Sequence, residues 1–306
     1  MRTLLLWMAS NRWLRDRVPR MRFAQKAVHR FMPGEDPGDA LAAGVALKRE
    51  GIATELTRLG ENITEMSEAD AVAAHYLEMF DRITAAGLEG EISVKPTQLG
   101  FDIDEAKTQA HLERLADRAA QKGTVLWIDM EGSAYTERTI ALYERVRRAR
   151  ENVGLCLQSY LRRTAADAQR LLPLGPAIRI VKGAYSEPES LAFQKKTDVN
   201  ASFVALATTL LDARRTDPRV RIGLGTHDVE LVEVIAQHAA ARQMPMDAFE
   251  VQMLYGIRTD QQRRFAREGR PVRVLISYGD AWYAWYLRRL AERPANVLFA
   301  LRQLLP

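Results

Sequence analysis

Residues 153–183, VGLCLQSYLRRTAADAQRLLPLGPAIRIVKG, decide the architecture of this chain. They open on an apolar run, VGLCLQ (153–158), pass through a helical segment that Thr164 begins, ADAQRLL, and close on a second run, AIRIVKG (177–183). Strand, crossover helix and strand in so short a span make a parallel βαβ unit. Reading outward, similar runs occur at IATELTRL (52–59), EISVKP (91–96), VLWIDM (125–130), VRIGLG (220–225), FEVQML (249–254) and VRVLIS (272–277). Ser67 with Asp70 predicts a helix ending near Gly87, and Asp102 with Glu105 one ending near Gly123. Ser186 with Glu189 predicts another, and TDQQRRFAREG closes at Gly269. Eight strands alternating with helices predict an α/β protein of the (βα)8 TIM-like barrel class, its strands nearly continuously apolar because both faces are covered. The run at 52–59 fits least well, being polar at Thr54, Glu55, Thr57 and Arg58. A doubly wound open sheet is the second architecture the pattern admits. Residues 1–45 are expected to form an N-terminal helical arm and residues 46–306 the barrel.

Composition supports one large core. The chain has 306 residues, 47% of them apolar, and no apolar run approaches the length of a membrane-spanning helix. Its one cysteine, Cys156, excludes an intramolecular disulfide and fits a reducing compartment, so a cytoplasmic location is expected. Residues 1–30 carry eight Lys or Arg against Asp16 alone, interleaved with Trp7, Trp13, Leu14 and Phe23. Such a segment either sits on an anionic membrane surface from the inner face, as a peripheral contact, or packs as a basic helix on the domain. No nucleic-acid module accompanies the charge, so nucleic acid is not an expected partner. The sequence carries no signal of oligomeric state.

Barrel enzymes place reactive groups at the C-terminal ends of their strands. The polar residues there are Lys95, Asp129, Gln158, Arg179 with Lys182, Thr226 with His227, and Gln252. The last strand leads into YAWYLRRLAERPAN (283–296), where Trp285, Arg288, Arg289 and Glu292 share one helix face. Paired guanidiniums suit a small carboxylate, and Lys95, Arg179, Lys182, Arg288 and Arg289 together predict a positively charged mouth with anionic ligands. HExxH, zinc-spaced Cys and His, GxSxG and GxxxxGK are all missing, so no metal is expected. On residues alone, Lys182 fits a Schiff-base aldolase, and the basic arm fits a non-catalytic barrel that binds anionic lipid or nucleic acid.

From about Phe31 to Arg302 the chain resembles the proline dehydrogenases, which occur alone, as monofunctional bacterial enzymes, or as a domain of bifunctional PutA proteins. The resemblance lies in RFMPGE, LGEN, SVKPTQLG, WIDMEG, LQSYLRR, RIVKGAY, GTHD, FEVQMLYG and YLRRLAERPAN, in that order. It implies a distorted barrel with noncovalent FAD that oxidises L-proline to 1-pyrroline-5-carboxylate in proline catabolism, by hydride transfer to flavin N5, with a membrane quinone as electron acceptor. By position, Lys95, Arg288 and Arg289 would bind the substrate carboxylate, and Asp129 would orient the charged groups around it. Arg179 would lie near flavin N5 and O4, and Met130 and Gln158 would contact the isoalloxazine. Val181, Lys182, Gly183 and Ala184 would follow its edge and phosphates, Thr226 and His227 would bind further along the cofactor, and Glu292 would hold Arg288 or Arg289. Two positions depart from the family: Leu275 and Trp285 stand where a tyrosine is common. A lost phenol opens room for a C4 substituent, which makes 4-hydroxyproline an alternative substrate, although Trp285 could fill that volume.

Overall fold

The computed structural model describes residues 28–60, 63–283 and 286–287, together with Asn11 and Arg17. Eight parallel strands follow one another around a closed barrel, β8 pairing with β1. They are β1 Ala53–Arg58, β2 Glu91–Val94, β3 Leu126–Ile128, β4 Val153–Gln158, β5 Ala177–Val181, β6 Arg221–Gly225, β7 Glu250–Leu254 and β8 Val272–Tyr278. Helix α1 (Pro37–Arg49) precedes the barrel and packs on β1 and β8. The crossovers are α2 Met66–Ala85, α3 Glu105–Gln121, α4 Ser133–Arg147, α5 Thr164–Leu171, α6 Lys196–Thr216, α7 Val229–Ala241 and α8 Thr259–Arg267. Among the described residues no helix is long and apolar enough to cross a membrane.

The strands alternate rather than run continuously apolar. Leu56, Ile92, Val94, Ile128, Leu155, Ile178, Leu224 and Val274 are buried in the hydrophobic layer, where the outer helices also pack. Their neighbours along each strand point into the lumen, and many of these are charged. VGLCLQ looked continuous because its lumen positions are small: a Cβ on Gly154 would lie 2.5 Å from the Trp127 ring. The polar positions of β1 have the same origin, since Glu55 faces across the barrel to β5.

At the N-terminal end the lumen is closed by a charge-balanced plug. Arg221 donates to Glu91 at 2.5 Å and to Glu250 at 3.2 Å. Arg273 lies 2.9 Å from Glu250 and 3.2 Å from Glu91, and Trp127 donates its indole N–H to Glu91 at 2.6 Å. Burying either arginine unpaired would cost several kcal/mol, on the order of 3–5. With two acids and two bases interlocked, that cost is largely offset.

Three helix starts differ from the sequence reading. Helix α2 begins at Met66 after Glu65, one residue ahead of Ser67, and Asp104 rather than Asp102 caps α3 by accepting from Lys107 N at 2.9 Å. Ser186 opens no helix. Residues 186–195 form a loop held by a bridge between Leu161 and Ala192, and α6 starts only at Lys196. Glu187 is instead spent on the first turn of α4, accepting from Ser133 N at 2.8 Å and Ser133 Oγ at 2.5 Å.

Candidate active site

The strand ends bring four ionic side chains together above the plug. Lys95 follows β2 and Asp129 follows β3, while Arg179 rises from the middle of β5 and Glu55 from the middle of β1. Asp129 is the bridge: its Oδ2 accepts from Lys95 Nζ at 3.1 Å, and its Oδ1 accepts from Arg179 Nη2 and Ser93 Oγ, each at 2.7 Å. Arg179 Nη1 donates to both oxygens of Glu55, at 2.5 and 2.7 Å, and Nη2 reaches Ser93 Oγ at 2.9 Å. The guanidinium also sits 4.9 Å from the centre of the Trp127 ring. Arg179 is therefore held from two sides and below.

Burial and charge divide the group's proton affinities. For Asp129 burial alone would raise the pKa, but Lys95 and Arg179 outweigh it and hold the carboxyl at about 2. Burial alone would release the Lys95 proton, yet the Asp129 charge reverses the effect and the ammonium is held more tightly than usual. Burial raises Glu55 despite the opposing pull of Arg179. Neither Lys95 nor Asp129 is thus poised to take a proton near neutral pH.

The rest of the mouth is built around this cluster. Gln158 ends β4 and is 3% exposed; its Nε2 donates to the carbonyls of Met130 and Glu131, at 3.3 and 3.2 Å, leaving a buried Oε1 with no hydrogen-bond partner. Glu131 in turn accepts from Thr97 N at 3.1 Å and Thr97 Oγ1 at 2.6 Å, fixing the turn that follows Lys95. Beyond β5, Val181, Lys182 and Gly183 are half-buried and Ala184 is exposed. Lys182 is paired with Asp228 at 2.7 Å. Thr226 Oγ1 accepts from Asp228 N at 3.1 Å, and His227 Nε2 accepts from Leu254 N at 3.4 Å. Gly183 has φ +106°, and a Cβ there would lie 2.1 Å from the Tyr160 ring. Leu275 is half-buried on β8, in register with Glu55 on one side and Leu254 on the other.

Lys95, Asp129, Gln158, Arg179 and Gln252 therefore converge, with Lys182, Thr226 and His227 farther along the same rim. The positive excess expected from the sequence is reduced, since Lys95, Arg179 and Lys182 each have a carboxylate partner. Trp285, Arg288, Arg289 and Glu292 lie outside the described residues. Sequence reasoning missed Glu55, Ser93, Asp228 and Glu131 as members of the site. The strand period carried a signal for the first two, because Glu55 and Ser93 fall on the lumen side of their strands.

A profile described as proline dehydrogenase matches residues 40–302. Proline dehydrogenase 1 of Bacillus subtilis (strain 168) is 32% identical over 306 residues, covering 100% of this chain and 99% of the relative. Proline dehydrogenase of Deinococcus radiodurans is 35% identical over 281 residues, with 90% and 89% covered. The bifunctional protein PutA of Escherichia coli (strain K12) is 26% identical over 315 residues, and the match spans 89% of this chain but 24% of that protein. Among solved structures, proline utilization A of Bdellovibrio bacteriovorus, inactivated by N-propargylglycine, shares the fold with a TM-score of 0.81 at 19% identity, covering 94% of this chain and 37% of that one.

Proposed function

The chain belongs to the proline dehydrogenase family, and from that premise we propose that it oxidises L-proline to 1-pyrroline-5-carboxylate with noncovalent FAD, passing the electrons to a membrane quinone. The observation that carries this reading is the Lys95–Asp129–Arg179 cluster at the C-terminal mouth of the barrel.

The residues present suit a flavin. Gln158 Oε1 is a buried acceptor without a donor, which fits the imide N–H of an isoalloxazine. Gly183, with no Cβ to spare against Tyr160, lets the backbone of Val181, Lys182, Gly183 and Ala184 turn closely along a ligand edge. Met130 would border the ring, Lys182 would face its phosphates, and Thr226 and His227 would hold the cofactor farther out. When bound, FAD supplies the hydride acceptor that the oxidation of a C–N bond requires.

The protein's own groups bind and orient. Lys95, fixed as an ammonium by Asp129, would hold the substrate carboxylate together with Arg288 and Arg289. Asp129 sets the distance between that ammonium and Arg179, and Arg179 places a fixed positive charge where the ring system gains electron density. Since Asp129 and Lys95 both keep their charged forms, the proline amine loses its proton before tight binding or to water. Lys182, paired with Asp228, stands farther along the rim than the Lys95–Asp129–Arg179 cluster, so a Schiff-base aldolase built on Lys182 is the less favoured reading. The basic residues 1–30 are proposed to bring the barrel to an anionic membrane surface where a quinone is available. Loss of vesicle binding on deleting that segment is the expected outcome, and retained binding sinks this part.

Leu275 supports a second substrate. With a leucine in register with Glu55 on the lumen side of β8, where a tyrosine is common in the family, a substrate ring held there would meet no phenol from this position, and trans-4-hydroxy-L-proline is the ligand that would use the room. The deciding experiment is the visible spectrum of the purified protein before and after anaerobic addition of each amino acid. Bleaching by proline supports the main reading, bleaching by hydroxyproline alone supports the second, and a protein that stays colourless after reconstitution with FAD overturns both.

A further inference from the structure

We infer that Glu55 is a positioning residue that sets how much positive charge Arg179 presents to the bound flavin, and so tunes the flavin's reduction potential. The inference rests on the flavin reading above and goes beyond it, because Glu55 lies a layer below the mouth and is not itself a ligand for cofactor or substrate.

The geometry assigns Glu55 this role in three ways. First, β1 and β5 stand on opposite sides of the barrel, so the bond between Glu55 and Arg179 crosses the lumen and fixes the guanidinium at its centre. Both Glu55 oxygens are given to one nitrogen, Nη1, while Nη2 goes to Asp129 and Ser93; the planar group is clamped along two directions and cannot swing. Second, the charges do not divide evenly. Asp129 is shared between Arg179 and Lys95, so Glu55 is the carboxylate that Arg179 does not share with Lys95. Third, Glu55 is 1% exposed and Arg179 5%, so water screens their interaction little. A purely structural filler at this depth would be served by an apolar side chain, as replacing buried pairs by packed hydrophobes is often neutral.

Hydride transfer adds a negative charge to the flavin ring system, and a nearby cation favours the reduced form. Glu55 opposes that pull by compensating Arg179. Neutralising Glu55 while Arg179 stays in place should therefore make the flavin easier to reduce.

The test equilibrates the holoenzyme with a redox dye of known potential, comparing the wild-type protein with Glu55→Gln, Glu55→Thr and Glu55→Asp. The two neutral variants are expected to shift the oxidised-to-reduced ratio toward reduced flavin by about tenfold, which for two electrons is about 30 mV. Glu55→Asp, which keeps the charge, is expected to stay close to wild type. Neutral variants that bind flavin with the wild-type potential overturn the inference. So does failure of both neutral variants to fold while Glu55→Asp folds, because Glu55 is then a structural requirement only. Absence of flavin from the wild-type protein is a different result, and it removes the flavin reading itself.

Discussion

Trp282 donates its indole N–H to Glu35 Oε1 at 2.7 Å, joining residues 247 positions apart. Trp282 is 1% exposed, and the Tyr286 ring one turn later lies 6.0 Å from Phe31 and 6.4 Å from Trp282. Gly256 completes the seat, since a Cβ there would fall 1.6 Å from the Arg30 carbonyl oxygen. The segment that ends in Pro33, Gly34 and Glu35 is thus wedged against the chain just ahead of Arg288 and Arg289. Glu35→Gln should loosen that anchor. Replacing the charge-assisted hydrogen bond by a neutral one costs on the order of 0.7 kcal/mol, so the KM for proline should rise about threefold with kcat and flavin content little changed. Steady-state kinetics with flavin quantified per protein checks this, and an unchanged KM would show that the wedge does not reach the arginines.

Asp129 makes stability depend on acid. Its folded pKa of about 2 lies below the ordinary 3.8, so its ion pairs stabilise the fold above that ordinary value and lose their contribution as pH falls toward 2. Asp129→Asn cannot titrate. The stability gap between wild type and variant should be about 2 kcal/mol at neutral pH, should narrow as pH falls below about 4 and should close only near pH 2. Urea unfolding midpoints across that range measure it; a gap that stays constant would mean Asp129 carries no net ion-pair energy.

All eight strands were legible as short β-rich runs, because the helix-facing positions Leu56, Ile92, Ile128, Leu155, Ile178, Ile222, Val251 and Val274 keep every strand apolar on one side. The lumen side was harder to read. Charged residues such as Glu55, Arg221 and Arg273 look like interruptions of a strand until the barrel closes and partners from distant strands meet. Lys95, Asp129 and Gln158 were visible because they end their runs. Glu55 was not, since its partner Arg179 is 124 positions away and nothing local announces the pair. The false helix start at Ser186 had a capping pattern, but Glu187 is used across the rim on Ser133, and such long-range use of a side chain leaves no mark in local periodicity.

Gly183→Ala combines a positive φ with a steric clash, and Gly87→Ala separates the two. At Gly87, φ is +68° and a Cβ would meet nothing within 4 Å, so alanine there should cost only about 1 kcal/mol. At Gly183, φ is +106° and the new methyl would enter the Tyr160 ring. The expected cost is at least about 2 kcal/mol, together with loss of bound flavin, because the loop must move off the rim. Thermal unfolding and the ratio of visible to ultraviolet absorbance read both effects. Equal behaviour of the two variants would remove Gly183 from the cofactor edge.

Leu275→Tyr tests substrate choice. Leu275 lies between Leu254 and Glu55 in the barrel register and is half-buried, so a phenol placed there extends toward the mouth and narrows the space beside the substrate ring. Hydrophobic pockets discriminate weakly against an added hydroxyl, but an occupied volume excludes it by contact. The ratio of kcat/KM for proline over trans-4-hydroxy-L-proline should therefore rise about tenfold, a difference of about 1.4 kcal/mol in transition-state binding. Most of the change should appear as poorer turnover of the hydroxylated substrate, with proline kcat/KM within about threefold of the wild-type value. A ratio that does not move would place Leu275 away from C4 and leave Trp285 as the residue that fills the position.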